Sequence, residues 1–325
     1  MKTKDKLLEL FELNKGVYFS GEEIAQKLEV SRTAVWKAVK ALRNEGYDIS
    51  AVTNRGYSLS EKTDILSPQG IRKYLKSDYL NMDITVLSTI KSTNLYVREK
   101  AISGQSEGYT VFANEQTEGR GRYGRSFFSP YGTGIYMSVL LRPDNYSTQQ
   151  AVRITTMAAV AMCEAIEAVS GEIAQIKWVN DIYVNDKKVC GILTEGSFDL
   201  ESGIMEYAVL GVGVNVYYPE GGFPKELNQT VGAIFNSTNN DMKNKLAADF
   251  INRFMKYYTS GEQKAYIQKY RRRCFVIGKQ ITVISKGQTR EALAIDVDDE
   301  CGLLVRYEDG KEECLSSGEI GIKVR

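Results

Sequence analysis

The residues best suited to chemistry lie in one short stretch, residues 119–125, where three arginines are interleaved with three glycines as GRGRYGR. Glycine allows the backbone to come close to a ligand, and arginine offers a fork of donors that matches carboxylate and phosphate oxygens. Apolar, strand-like runs at 109–113 and 134–141 would hold both ends of this loop. The stretch therefore predicts a site for a polyanion, or for a carboxylate and a phosphate side by side. A flexible, solvated loop is the alternative interpretation.

The same stretch contains the pattern G-x-G-x-x-G, but a dinucleotide-binding fold is not expected. That motif needs a helix that opens at its end and receives the pyrophosphate at its N-terminus. The residues that follow, 126–141, have the pattern of a loop and a strand instead. The chain also lacks the phosphate-loop pattern G-x-x-x-x-G-K-[ST].

The chain of 325 residues contains no histidine, which excludes several kinds of catalysis. Ser-His-Asp and Cys-His mechanisms, histidine metal sites and a histidine general base are all ruled out. Any chemistry must use carboxylates, lysine, arginine, a bound metal or positioning alone.

The composition is that of an ordinary globular protein with two or three domains. Five cysteines without a C-x-x-C pair indicate free thiols, and no apolar run approaches the roughly 20 residues of a membrane helix. The N-terminus leads into an amphipathic helix and does not resemble a signal peptide. We therefore expect a cytoplasmic protein with no membrane partner. The formal net charge of +1 gives no information about other partners.

Residues 1–62 have the order of a winged helix-turn-helix domain: a helix, a short helix, a turn, a basic helix and a hairpin. Ser20 with Glu23 forms a capping box, and Ser31 caps the basic helix. The polar face of that helix carries Arg32, Thr33, Trp36, Lys37, Lys40 and Arg43. We expect this face to enter the major groove of DNA, with Arg55 on the wing at a phosphate or the minor groove. A solvated helix face and a protein-contact module are the alternatives.

Residues 63–272 predict a central α+β domain of mixed strands with helices on one side. Residues 60–66 are polar and indicate a linker. Residues 176–184 predict one strand, followed by a turn at 185–186 and a second strand over 187–194. Long helices are predicted at 149–169, 243–258 and 262–271. Ser92-Thr93-Asn94, taken alone, is typical of a helix cap.

Residues 273–325 contain short strand-like runs separated mostly by Gly, Asp and Asn turns. They predict a small antiparallel barrel, the last strand of which would cover 322–324. Nothing in this region suggests chemistry of its own.

Five motifs occur in order along the chain: residues 92–94 (STN), 115–125 (EQTEGRGRYGR), 177–181 (KWVND), 188–193 (KVCGIL) and 211–215 (GVGVN). Together they resemble the bacterial bifunctional biotin protein ligases that also act as biotin-operon repressors. The resemblance covers nearly the whole chain. It implies a class II synthetase-like ligase domain at 63–272, between the winged helix-turn-helix of 1–62 and an SH3-like barrel at 273–325.

The resemblance also implies a two-step reaction. Biotin and MgATP give biotinyl-5′-AMP and pyrophosphate, and the ε-amine of a lysine on biotin carboxyl carrier protein then displaces AMP. A carboxylate that attacks an α-phosphate must overcome like-charge repulsion, so cations and alignment are what an enzyme must supply. Arginine and lysine can supply both without a histidine.

By resemblance, site residues are assigned as follows. The biotin-binding residues would be Ser92, Thr93, Asn94, Gln116, Gly119, Arg120, Gly121, Arg122, Lys188, Gly191 and Gly213. The ATP and adenylate site would comprise Arg122, Arg125, Phe127, Asp181, Lys188 and Asn215. Lys188, Arg120, Arg122 and Asp181 would carry the chemistry, and Asp181 with Asn215 would hold Mg²⁺ together with ATP. The acceptor amine would lose its proton to Asp181 or to water.

The chain departs from the family pattern at two positions. Val179 stands where proline is frequent, and Phe127 stands where tryptophan is common, so an aromatic side chain is retained. We also expect the aromatic residues of the 217–223 loop to stack on adenine, on the basis of their placement alone.

The resemblance further implies regulation by ligand. Biotinyl-5′-AMP would act as corepressor, order the Arg/Gly loop and promote a homodimer through edge strands of the central sheets. Two winged helices would then match a palindromic operator, and apo-carrier would compete for the same face. A non-enzymatic biotin sensor and a lipoate-type ligase are the alternative functions.

Overall fold

The computed structural model describes residues 2–144, 146–147, 151–199, 201–238, 240–260, 263–285, 288–316 and 319–322. The chain divides into two compact units. The first comprises Met1–Asn81 with Ser237–Asp249, and the second comprises Met82–Asn236 with Phe250–Arg325. No helix of the described residues is long and apolar enough to cross a membrane.

The first unit contains three helices, a hairpin and a short fourth helix. Their bounds are α1 Thr3–Leu13, α2 Gly21–Leu28, α3 Arg32–Asn44, β1 Ile49–Val52, β2 Gly56–Leu59 and α4 Pro68–Arg72. The strands β1 and β2 pair antiparallel, with Ile49 opposite Leu59. This order confirms the predicted winged helix-turn-helix.

Local capping explains where α2 and α3 begin. The Ser20 hydroxyl accepts from the Glu23 amide at 3.1 Å, and the Glu23 carboxylate accepts from the Ser20 amide at 2.7 Å. The Ser31 hydroxyl accepts from the Ala34 amide at 3.2 Å. These bonds satisfy amide groups that would otherwise lack a partner at the helix N-terminus. The helices then pack on one apolar core. Its members include Leu7, Phe11, Ile24, Val35, Val39, Leu42 and Leu59.

Residues 60–66 do not form the linker that the sequence predicted. Thr63 and Leu66 are buried, and the Thr63 carbonyl accepts from the Lys15 ammonium at 2.8 Å. The polar composition of this segment gave no sign of its burial, because the partner residue Lys15 on α1 lies 48 residues away. The segment is part of the folded first unit.

A largely buried cluster of charges joins α1 to residues 63–81 and 237–249 within the first unit. The Glu12 carboxylate lies 2.6 Å from the Lys73 ammonium. The Asp241 carboxylate lies 3.0 Å from the Lys15 ammonium and accepts from the Tyr74 hydroxyl at 2.7 Å. Burial by itself raises the pKa of Asp241, but the hydrogen bonds from Lys73 and Tyr74 outweigh it and hold that pKa below its ordinary value. Asp241 is therefore ionised and holds the cluster together.

Replacing Asp241 with Asn should lower the free energy of unfolding by about 3 kcal/mol, because Lys15 and Lys73 lose a buried counter-charge. The lowered pKa gives the sign of the pH dependence. The carboxylate stabilises the fold above its unfolded pKa of about 3.9, and this contribution is lost as pH falls through the folded pKa. Urea unfolding at pH 7 and below pH 4 measures both effects. Asp78→Asn, at an exposed position, is the control. Equal midpoints for Asp241→Asn and the wild type would contradict the stabilising role.

The second unit is built on a seven-stranded mixed sheet with helices. Its elements are β3 Ile84–Ile90, α5 Thr93–Ile102, β4 Thr110–Gln116, β5 Gly134–Leu141, α6 Ala151–Ser170, β6 Gln175–Lys177, β7 Asp181–Val184, β8 Lys187–Phe198 and β9 Met205–Asn215, followed by α7 Met242–Thr259 and α8 Gln263–Arg273. The helix α7 begins in the first unit.

The order of the strands in this sheet is β3-β4-β5-β9-β8-β7-β6. Only β3 and β4 run parallel, and the other neighbours are antiparallel. All eight residues of the apolar strand β5 are buried in the middle of the sheet. This confirms the predicted α+β class. The starts that the sequence predicted at 149 and 262 for two helices lie outside the described residues.

The prediction of one strand over 176–184 is wrong. The chain makes a hairpin there, in which β6 and β7 pair antiparallel and Lys177 lies opposite Asp181. The turn is residues 178–180, and distant groups hold it: the Trp178 indole donates to the Cys301 carbonyl at 3.0 Å, and the Tyr270 hydroxyl donates to the Val179 carbonyl at 3.0 Å. The apolar pattern of the segment carries no sign of these partners.

The C-terminal part of the second unit is a five-stranded antiparallel sheet. Its strands are β10 Gln280–Ser285, β11 Gln288–Val297, β12 Leu303–Tyr307, β13 Glu312–Leu315 and β14 Glu319–Ile322, in the order β13-β12-β11-β10-β14. This confirms the predicted small antiparallel β domain. The end of the last predicted strand, at 323–324, lies outside the described residues.

Candidate functional site

The second unit contains a cavity of about 390 Å³ between the sheet and the Arg/Gly loop. Strands β8 and β9 and the start of α5 line it, together with the 178–180 turn. The sequence-predicted residues that line it are Ser92, Thr93, Asn94, Gln116, Arg120, Gly121, Arg122, Arg125, Phe127, Asp181, Lys188, Gly191, Gly213 and Asn215. Among the predicted residues of this site, Gly119 alone does not line it. Its neighbourhood is loop backbone, since a Cβ there would lie 2.4 Å from the Phe127 carbonyl oxygen.

Two glycines form the floor of this cavity. Gly191 and Gly213 lie opposite each other in β8 and β9. The Phe127 ring rests on them: a Cβ at Gly213 would lie 2.5 Å from that ring, and one at Gly191 would lie 3.3 Å from it. The absence of side chains at both positions therefore gives a flat surface on which an aromatic ring or a ligand can lie.

Lys188 and Asp181 form an ion pair at the edge of this floor. The Lys188 ammonium lies 2.6 Å from the Asp181 carboxylate, and both side chains are partly exposed and belong to the cavity lining. A Cβ on Gly191 would lie 3.6 Å from the Lys188 ammonium. An anionic group on the glycine floor would therefore meet a lysine whose position a carboxylate already fixes.

Arg122 is held by the 178–180 turn. Its guanidinium donates to the Asn180 side-chain oxygen at 3.2 Å and to the Tyr123 hydroxyl at 3.2 Å. Asn180 in turn donates from its amide to the Ile192 carbonyl at 2.8 Å, which ties the turn to β8. Sequence reasoning quoted the motif that contains Asn180 but gave the residue no role. The amide aims the arginine into the cavity.

Polar side chains line another part of the cavity. Gln116 accepts at its side-chain oxygen from the Thr93 amide at 2.9 Å and donates to the Ser129 hydroxyl at 3.1 Å. Ser92 is buried, and its side chain makes no capping hydrogen bond to α5. Ser92 therefore stands at the predicted cap position of α5, but its hydroxyl does not cap the helix.

Aromatic residues line the cavity on the loop side. Phe128 and Phe223 make an edge-to-face contact with ring centroids 6.4 Å apart. Within the 217–223 loop, Phe223 lines the cavity, whereas Tyr217 is buried against Phe235. Other lining residues that the sequence analysis did not assign include Lys177, Trp178, Thr230 and Ile320. Ile320 comes from the C-terminal sheet, so that domain contributes to the cavity.

The oxygen ligands of the cavity suit a metal ion that binds together with phosphate groups. Among the described residues, no group of three or more Asp, Glu, Cys or His side chains could hold a metal ion. Asp181 and Asn215 line the same cavity, and the Asn215 amide donates to the Gly232 carbonyl at 3.1 Å. One carboxylate and one amide oxygen suit Mg²⁺ when phosphate oxygens and water complete its octahedral shell.

Three family models match the chain. The Biotin/lipoate A/B protein ligase family matches residues 86–215, an HTH domain matches 3–58, and the Biotin protein ligase C terminal domain matches 276–322.

Curated relatives match the chain over nearly its full length. The Bifunctional ligase/repressor BirA of Bacillus spizizenii is 34% identical over 318 residues, which cover 96% of each chain. That of Bacillus subtilis is 33% identical over the same length and coverage. The chain belongs to the bifunctional ligase/repressor family. Among solved structures, the biotin protein ligase from Aquifex aeolicus in complex with biotin and ATP has a TM-score of 0.61 and 23% identity, covering 74% of this chain and 98% of that one, and it shows the same fold.

The first unit of this ligase/repressor chain has a groove between α3 and the hairpin. Arg32, Thr33 and Trp36 line it together with residues 51–54 and 56–57. Trp36 is half exposed, and the Lys40 ammonium lies 5.4 Å from the centre of its ring. The groove presents cations and an aromatic surface to a partner.

Two arginines that the sequence assigned to DNA have partners within the winged domain. The Arg43 guanidinium donates twice to the Ile49 carbonyl, at 2.9 and 2.6 Å, and so fastens α3 to β1. Arg55 lies over the Tyr18 ring at 4.2 Å. Contact of both with DNA stays a prediction.

A further glycine of the ligase/repressor sheet makes room for a buried amide. A Cβ at Gly211 would lie 2.1 Å from the Asn94 side-chain oxygen. Gly211→Ala should displace Asn94, break its buried hydrogen bonds and lower the free energy of unfolding by about 1–3 kcal/mol. Urea unfolding compares it with Gly196→Ala, where the Cβ would meet only the side chains of Phe198 and Met205. Equal losses of unfolding free energy in the two variants would show that displacement of Asn94 is not the cause.

Proposed function

We propose that this chain is an ATP-dependent biotin protein ligase and a biotin-responsive repressor. As ligase, it activates biotin as biotinyl-5′-AMP and transfers it to a lysine of biotin carboxyl carrier protein. One observation supports this most: Lys188, Arg122 and the glycine floor meet in one cavity, in a chain related over 96% of its length to bifunctional ligase/repressors. The intact set of cations argues against a sensor that has lost its chemistry.

The first step joins two anions. A biotin carboxylate oxygen attacks the α-phosphorus of ATP, the bond to the bridging oxygen breaks, and pyrophosphate leaves. Lys188 and Arg122 offset the repulsion between the carboxylate and the phosphate and stabilise the charge that spreads over the phosphate oxygens. Arg120 adds a third cation at the cavity. Asp181 and Asn180 hold Lys188 and Arg122 in place, so that little reorganisation is needed during the reaction.

The second step transfers the biotinyl group. The ε-amine of the acceptor lysine attacks the carbonyl carbon of the mixed anhydride, an amide bond forms, and AMP leaves with the electron pair. The amine proton passes to Asp181 or to water. Asp181 is partly exposed in the cavity, where an acceptor that enters from solvent can reach it.

MgATP and the adenine have candidate ligands in the same cavity. Mg²⁺ neutralises phosphate charge when it is bound, and Asp181 with Asn215 would hold it. Arg125 would meet phosphate oxygens, and Phe127, Phe128 and Phe223 offer aromatic faces to the adenine.

The repressor activity uses the groove of the first unit on operator DNA. Biotinyl-5′-AMP acts as corepressor when it binds the dimer-competent state more tightly than the monomer. The mixed sheet has β3 and β6 at its edges, and edge strands can pair with those of a second copy. Apo-carrier competes for the same face. These steps would take place in the cytoplasm.

The deciding experiment incubates the pure protein with biotin, ATP and Mg²⁺ without acceptor and looks for bound biotinyl-5′-AMP by mass spectrometry. Adenylate that forms and transfers to apo-carrier supports the ligase. Biotin binding without adenylate indicates a sensor with a ligase fold. The absence of biotin binding refutes the proposed function.

A further inference from the structure

Glu195 lies one step behind the cavity and outside its lining. It is half-buried in β8, and its carboxylate accepts from the Asn94 amide nitrogen at 2.7 Å. Asn94 is 5% exposed and lines the cavity. Glu195 can therefore influence the cavity only through the Asn94 side chain.

A continuous path of hydrogen bonds runs from Glu195 to the lining. The Asn94 side-chain oxygen lies 2.6 Å from the Ser138 hydroxyl, which lies 2.7 Å from the Thr93 hydroxyl. The Thr93 hydroxyl lies 3.1 Å from the Gln116 side-chain oxygen. Ser138 is fully buried in β5, so solvent does not compete for these bonds.

The Glu195 carboxylate determines which group donates and which accepts in each of these hydrogen bonds. An ionised carboxylate only accepts, so the Asn94 nitrogen must face Glu195 and its oxygen must face Ser138. Ser138 has one proton and two acceptors within reach, and the Asn94 oxygen has Ser138 as its donor. Because the Ser138 proton is used on Asn94, the 2.7 Å contact between the two hydroxyls needs the Thr93 proton, so Thr93 donates to Ser138 and presents a lone pair to the cavity.

We propose that Glu195 is a positioning residue that sets the hydrogen-bond polarity of the biotin pocket. Through Asn94 and Ser138 it keeps the Thr93 oxygen an acceptor, which suits a ring N–H of the ureido group. Without the carboxylate, Asn94 can turn its nitrogen toward Ser138. The Ser138 proton then goes to Thr93, and the Thr93 proton, released from Ser138, can point into the cavity against the ligand N–H. This inference rests on the proposed function, because it assumes that biotin occupies this cavity.

Calorimetry with biotin, together with steady-state kinetics, tests the proposal on the full chain. Glu195→Ala should weaken biotin binding by about 10- to 100-fold, because a polar group in the pocket then faces the wrong partner. The KM for ATP and kcat should stay within about twofold, since Glu195 contacts neither ATP nor the reacting atoms. Glu195→Gln, whose amide oxygen can accept the same bond from Asn94, should restore most of the affinity.

Biotins that carry a methyl group on one or the other ring nitrogen show whether the effect is directed at an N–H. One of these ligands lacks the N–H that Thr93 accepts. For that ligand, Glu195→Ala and the wild type should bind with nearly the same affinity. Ser138→Ala removes the middle of the path, so it should weaken biotin binding like Glu195→Ala and should not add to it. It also keeps the test open if Glu195→Ala fails to fold. Glu206→Ala is the matched control, because this exposed carboxylate on β9 accepts only from Ser197 among the bonds described.

Three results would overturn the proposal: unchanged biotin affinity in Glu195→Ala, a rise in the KM for ATP as large as that for biotin, or equal losses for biotin and both methylated ligands. Failure of the wild-type protein to bind biotin would instead refute the proposed function, so the two failures are distinguishable.

Discussion

Lys188→Ala is expected to slow formation of biotinyl-5′-AMP by about 10²–10³-fold, which is the usual cost of removing one preorganised charge at a transition state. The ammonium lies at the edge of the glycine floor and is held by Asp181 at 2.6 Å. A biotin carboxylate and an α-phosphate brought together there lose the cation that offsets their repulsion.

The neighbouring lysine provides a matched control. Lys187 donates to the Gln229 carbonyl at 2.5 Å and does not line the cavity. Lys187→Ala removes the same charge one residue away and should leave adenylate formation within about twofold, as expected for a surface substitution. Release of pyrophosphate in the absence of acceptor measures the step, and circular dichroism checks that both variants fold. Full activity in Lys188→Ala would remove this residue from the chemistry.

The double substitution Lys37→Ala/Lys40→Ala is expected to weaken operator binding and to flatten its dependence on salt. Each lysine that neutralises a phosphate contributes about one unit to the slope of log K against log[salt], so the slope should fall by about 2. Fluorescence anisotropy at several salt concentrations measures affinity and slope together. Ligase activity should not change, because both lysines lie on α3 of the first unit.

Lys6→Ala/Lys27→Ala removes two exposed lysines from α1 and α2 and is the control for net charge. An equal loss of operator affinity in the two double variants would mean that α3 is not the recognition helix. Deletion of 1–62 is a less specific test, because it would leave Lys73 and Asp241 without Glu12 and Lys15 in a buried cluster.

The sequence by itself determined the elements whose signals are local. The capping residues Ser20 and Ser31 mark where α2 and α3 begin, and an unbroken apolar run marks β5. The arginine-glycine alternation predicted where an anion would bind, and the family resemblance carried by the five motifs assigned fourteen of the residues that line the cavity. Such signals lie within a few residues of the feature that they encode.

Tertiary structure decided the features whose partners are far apart in the chain. The turn at 178–180 depends on Cys301 and Tyr270, and Asp241 meets Lys15 across 226 residues. The role of Glu195 became visible only when β8 brought it to Asn94, 101 residues earlier. A single sequence records that these residues are polar but not which groups they face. A buried polar group must find a partner, and only the fold determines which partner is within reach.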